Sequence, residues 1–142
     1  MLLVAFAVVI RVGVSAHRWM WEQAQLLSYR AAMQDLTTTV RASQFKAFAQ
    51  QRMFMLRVDA PRGQFQLVSM AQRPGELIEH VERTMWLPDG LEISEAPTIL
   101  RVFPSGGLAS SSIVVVAPAH NLQFHLQTSE TGEVQLHEES TL

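Results

Sequence analysis

MLLVAFAVVI, residues 1–10, sets the terms for the fold: ten apolar side chains run without interruption before Arg11, and Val12–Ala16 partly resumes the run. At ~1.5 Å per helical residue the ten cover about 15 Å, half of a ~30 Å hydrocarbon layer. Taken alone, the run is too short for a comfortable membrane span. Three readings stand at this level: a cleaved secretory signal ending at Val14-Ser15-Ala16, a buried core helix, or the continuation of a longer apolar segment. A signal is disfavoured because no basic residue precedes the run and Arg11 lies inside the region that should be apolar.

Working outward, His17–Gln51 contains no proline or glycine and is rich in helix formers. Leu26, Tyr29, Met33, Leu36, Val40, Ser43 and Ala47 recur at alternating steps of three and four, which puts one apolar stripe on a helix. Arg18, Arg30, Asp35, Arg41 and Lys46 lie off that stripe. Weak caps at His17 imply one continuous helix from the N-terminus to Gln51. Such a rod would be on the order of 75 Å long, too long to pack wholly against a domain this small. Part of it is expected to project.

After Gln51 the period changes from helix to strand. Met53–Asp59 and Gln64–Met70 flank the turn Ala60-Pro61-Arg62-Gly63, and Ala71–Gly75 reads as loop. Further short strands are expected at Arg83–Leu87, Leu91–Ser94, Thr98–Phe103, Ser112–Ala117, Leu122–Thr128 and Glu133–His137, with Pro/Gly punctuation between them. Strands at this spacing make an antiparallel β module. The fold class is α+β: an apolar helix segment over 1–16, its amphipathic continuation over 17–52, and an antiparallel β domain over 53–142.

The composition excludes several functions. The chain has 142 residues, 48% of them apolar and only 17% charged, with no cysteine. There is thus no disulfide, thiolate ligand or cysteine nucleophile. A net charge of −2 removes the usual electrostatic case for binding nucleic acid. The charge is unevenly spread, however. Residues 1–71 carry eight basic and three acidic groups (+5), whereas 72–142 carry three basic and ten acidic (−7).

No constellation of reactive groups stands out. His120 and His125 flank one strand start and His137 could lie across from them, but a spacing of five does not put two imidazoles on one strand face. Glu130, Glu133, Glu138 and Glu139 lack the alternate-residue pattern of a calcium loop and read as a solvated acidic edge. Ser110–Ser112 sit in a turn without a nucleophile-elbow or Ser-x-x-Lys signature. Glu79 and Glu82 could pair as general acids, though a shared solvated face is the simpler reading. No cofactor, metal or small-molecule substrate is expected, and no enzymatic activity. His17, Arg18, Trp19, Met20 and Trp21, just past the apolar run, fit an interface between lipid and headgroups or a packed filament.

Three stretches together resemble the type IV pilin-like proteins, and within them the minor pseudopilins of the GspH/FimT type. Met1–Ile10 is similar to the segment after the prepilin peptidase motif, commonly Phe-Thr-Leu-Ile-Glu followed by Met-Leu-Leu-Val. Val40–Leu56 is similar to the family's Ala/Arg-rich helix running into the first strand. Val102–Leu136, with Phe103-Pro104-Ser105-Gly106-Gly107 and the Thr131–Val134 turn, is similar to its last hairpins. The motif's glycine, phenylalanine and glutamate are absent; Met1 then reads as an internal methionine of the motif, and five restored residues would bring the apolar segment to about 20, bilayer length. Arg11 would cost about 2.5–3.5 kcal/mol at mid-bilayer unless it snorkels or finds an acidic partner.

The resemblance implies a structural subunit of a type II secretion, or related type IV pilus, filament. It would be a single-pass protein of the bacterial inner membrane with its β domain in the periplasm, methylated at the processed N-terminus. Implied partners are other major and minor pseudopilins or pilins, the membrane and an inner-membrane assembly platform. Packing in membrane and filament would fall to Leu2, Leu3, Val4, Phe6, Val8, Val9 and Ile10, to Trp19 and Trp21, and to the stripe Leu26, Met33, Leu36 and Val40. The competing readings are a minor pilin active in DNA uptake or adhesion, and a secreted or anchored β-sandwich binding module.

Overall fold

The computed structural model describes residues 2–142, apart from the side chains of Leu2, Leu3 and Phe6; the packing expected of these three lies outside the described residues. The element order is α1 (Leu2–Gln50), β1 (Phe54–Asp59), β2 (Gln64–Arg73), β3 (Glu76–Trp86), β4 (Glu92–Glu95), β5 (Ile99–Val102), β6 (Ser111–Ala117), β7 (Leu122–Thr128) and β8 (Val134–Ser140). A 3-10 turn at Pro118–His120 joins β6 to β7. The architecture is α+β, a long N-terminal helix followed by antiparallel sheets.

With no proline anywhere in it, α1 runs unbroken to Gln50. It stops because Gln51 turns left-handed at φ 51°, which lets the Arg52 amide donate to the Ala47 carbonyl at 3.2 Å. Glycine usually holds that position. Here the Gln51 side chain compensates by donating to the Phe48 carbonyl at 2.7 Å.

The chain forms two compact units. One reaches Ala31 and is helical; the other, Ala32–Leu142, contains the last helical turns and all eight strands. In the second unit the strands divide into two four-stranded sheets, ordered β3-β2-β1-β5 and β4-β6-β7-β8, with every pairing antiparallel.

Two expectations about this unit need correcting. The segment 71–75 is not a loop: β2 continues to Arg73 and pairs with Glu76 across a two-residue Pro74-Gly75 turn. Gly75 sits at φ 84°, the conformation such a turn demands. Nor is β3 confined to 83–87, since it runs from Glu76 to Trp86. Both errors have one cause: most of these residues are exposed, so their strand is held by backbone pairing and carries no apolar alternation to read.

Register explains the core. Ile113, Val115, Phe124 and Leu126 share one face of the second sheet, where Ile113 faces Leu126 and Val115 faces Phe124, and all four are buried. Phe54, Leu56, Phe65, Leu67, Leu100 and Val102 do the same in the first sheet. Met33, Leu36, Val40 and Ala47 supply the helical share. Each large side chain removed from water contributes about 1.5–3 kcal/mol. The buried hydroxyls on the same helix face do not orphan polar atoms, because Thr37 donates to the Met33 carbonyl (2.9 Å) and Ser43 to that of Val40 (2.6 Å).

Polar side chains tie these helical turns to the strands and loops. Arg83 donates to Asp35 and to the Thr39 hydroxyl, both at 2.8 Å. The Arg41 guanidinium reaches the Val134 carbonyl at 2.9 Å. One amide nitrogen, Gln44 Nε2, donates to two carbonyls, Gly106 at 3.0 Å and Gly132 at 2.9 Å, and so fastens two separate turns.

Candidate assembly surface

Position on α1 decides what each predicted packing residue can do. In the unit reaching Ala31, Val4, Val8, Val9, Ile10, Trp19 and Trp21 are exposed, as are Val12, Val14 and Met20. At about 100° per residue these positions fall all round the helix and not on one stripe. A helix that is apolar on every side needs lipid or other chains around it. Leu26 is half-buried. Among the described residues no helix is long and apolar enough to cross a membrane.

For Met33, Leu36 and Val40 the expectation of packing against sister helices is corrected. They are 0–2% exposed, within the core of the Ala32–Leu142 unit. A periodic apolar stripe shows that a face is covered, not by what, and here the chain covers it itself.

Sequence reasoning missed a second set of exposed apolar groups. Phe45 and Phe48 stand on the outer face of α1, and Leu77, Val81 and Trp86 on β3. A signal was available for the helical pair: two phenylalanines three apart, off the buried stripe, among Arg41, Lys46 and Arg52.

The groups weighed for chemistry are dispersed. Glu79 and Glu82, three residues apart on β3, point to opposite faces of the strand, and a bulge at Glu82, where Leu67 faces Arg83 but Val68 faces Val81, sets it beside Arg83. Glu79 then pairs with Arg57, and Glu82 accepts from the buried Ser69 hydroxyl at 2.8 Å. They do not form an acid pair. His125 and His137 do lie directly across from each other. Each contacts the glutamine two residues before it on its own strand, Gln123 at 3.1 Å and Gln135 at 3.3 Å, and His125 also lies 3.5 Å from Glu139. Among the described residues no group of three or more histidines and acids could hold a metal ion. Ser111 and Ser112 belong to β6, not to a turn.

A long N-terminal helix whose later turns are cemented into a two-sheet antiparallel unit is the pilin-like fold. Solved structures bear this out. The minor pseudopilin EpsH from the type II secretion system of Vibrio cholerae is similar in two structures. One aligns with a TM-score of 0.64 at 15% identity over 78% of this chain and 96% of that one. The other gives 0.62 at 12% identity, covering 78% and 95%. The type IV minor pilin FimU of Pseudomonas aeruginosa gives 0.61 at 13% identity, covering 80% and 90%. No protein-family model and no curated protein sequence matches the chain.

Proposed function

We propose that the chain is a non-enzymatic minor subunit of a pilin-like filament of the type II secretion or type IV pilus kind, assembled by helix packing with other pseudopilins or pilins. One observation carries this: exposed apolar side chains from Val4 to Trp21 surround a helix whose continuation belongs to a pilin-like β unit. Van der Waals packing of Val4, Val8, Val9 and Ile10 among neighbouring helices removes that surface from water or lipid. Trp19 and Trp21 act at the rim of the packed zone. Before assembly the same run holds the protein at the inner membrane, with the β unit on the periplasmic side. EpsH and FimU have the fold and the roles that support this reading.

The test places a photo-crosslinking residue at Val8 of the full chain, expressed in its own bacterium. Adducts with other pilin-like subunits are expected, and Val8→Asp with Val9→Asp should abolish both adducts and membrane retention. A double variant that remains membrane-bound and still enters filaments would refute the proposal.

A further inference from the structure

The apolar surface between Val4 and Trp21 has one gap. Of the first 29 residues only Arg11, Arg18 and Glu22 carry charge. At ~100° per residue all three fall within about 40° of the helix circumference. Ser15 and Gln25 lie on the same strip, so polar groups recur there at 11, 15, 18, 22 and 25. Val9, Ile10, Val12, Trp19, Met20 and Trp21 occupy the rest of the circumference, and all six are exposed. From Arg11 onward, then, the helix is an apolar rod with a single polar seam.

The three charges are not equivalent. Arg18 and Glu22 stand one turn apart, a spacing at which they can balance each other. Arg11 has no such neighbour. Glu22, the first carboxylate in the sequence, lies eleven residues on, about 16 Å along the axis. Among the described residues no salt bridge involves Arg11. Nor does the helix let Arg11 lean out towards Trp19 and Trp21. The Cα–Cβ bond of a helical residue tilts towards the N-terminus, so this side chain sets out towards Ala7 and Val8. Ten apolar residues, about 15 Å of helix, lie in that direction.

We infer that Arg11 pairs with a carboxylate on the apolar helix of a neighbouring subunit, a pilin-like chain of different sequence. This rests on the filament reading, because only a helix enclosed by lipid or by other helices makes an unpaired cation costly. A carboxylate both neutralises the guanidinium and accepts its forked donors. A second copy is the poorer source: bringing its Glu22 level with Arg11 takes a stagger of about 16 Å and draws Glu22 away from Arg18. In an apolar seam one such pair fixes the register between two helices and rejects partners that lack the acid, at some cost in stability. That suits a subunit with one particular place among others.

The test uses the full chain in its own bacterium, with a photo-crosslinking residue at Ser15, one turn from Arg11 on the seam, or at Val9, on the far side of the helix. Adducts from residue 15 are expected to converge on one pilin-like subunit, through a peptide with Asp or Glu in an apolar run. Arg11→Leu strands the partner's acid, so it should cut that adduct about tenfold while leaving membrane retention intact. Arg11→Glu should cut it as far, and exchanging the partner's acid for arginine should then restore it, which requires the two charges to meet. An adduct unchanged by Arg11→Leu, adducts from residue 15 to lipid or to a second copy, or no recovery with the exchanged pair would each overturn the inference. Residue 9 separates the two claims. If it captures pilin-like subunits while Arg11→Leu changes nothing, only the pairing fails; if it captures none in the otherwise unaltered chain, the filament reading fails with it.

Discussion

Replacing Gln44 by leucine isolates the bond that fastens two turns to the helix. Its single amide nitrogen serves the Gly106 and Gly132 carbonyls at 3.0 and 2.9 Å, in a part-buried setting. Leucine keeps most of the volume and has nearly the same helix propensity, so neither a cavity nor helix fraying confounds the result. Each lost bond is worth about 1 kcal/mol net, and stripping donors from part-buried carbonyls adds a desolvation penalty, for roughly 2–3 kcal/mol together. For a chain of this size that is a fall in midpoint of about 7–10 °C. Melting of the full chain in detergent, followed by near-ultraviolet circular dichroism, reads it. Gly132→Ala should also destabilise, because the residue sits at φ 88° and its Cβ would approach Gln44 Nε2 to 3.3 Å. A midpoint within about 3 °C of the parent would refute the reasoning. It would mean that water satisfies both carbonyls without the glutamine.

Other substitutions separate strong contacts from weak ones in the same melt. Phe124→Ala removes a side chain 1% exposed at the centre of the second sheet and should cost about 3–5 kcal/mol; a loss under ~1.5 kcal/mol would show that the site collapses freely. Arg83→Ala should cost no more than about 1 kcal/mol, because Arg83 and Asp35 are each about half exposed (49% and 48%) and solvent screens the pair. Gln51→Gly relieves a left-handed residue at φ 51° but forfeits its bond to Phe48, so a net gain below about 1 kcal/mol is expected. A measurable loss would show the capping bond to outweigh the backbone strain.

Local signals in the sequence reached as far as local physics does. The uninterrupted absence of proline announced α1 through Gln50, and the change of period after Gln51 announced the strands. Leu122–Thr128 alternates because one face is core, and β7 occupies that span as expected. The pairing of β1 with β5, and of β4 with β6, was not legible, since register across tens of residues leaves no trace in a window of ten. The tip of the β2–β3 hairpin was hidden for the opposite reason. From Ala71 to Ile78 few side chains are covered, so nothing forces their type. The apolar run was legible as a surface needing cover, and Met33, Leu36 and Val40 were legible as covered; only the structure assigns the second group to the chain's own core.

That division follows from the geometry of a single helix. Met33, Leu36, Val40 and Ala47 hold a narrow stripe, which one sheet-bearing unit can cover, leaving Arg41, Phe45, Lys46 and Phe48 outside it. Val4, Val8, Val9, Ile10, Val12 and Val14 ring the axis, and no single face of one protein can cover a ring. Burying it requires neighbours on several sides, which means lipid or several copies of a helix. The width of the apolar sector thus distinguishes surface a chain buries within itself from surface it must share. By the same measure Arg11, Ser15, Arg18, Glu22 and Gln25 form a sector narrow enough for one partner face. If cross-links from residue 15 instead spread over many partner positions while those from residue 9 converged on one, sector width would have failed as a guide to how many neighbours a helix has.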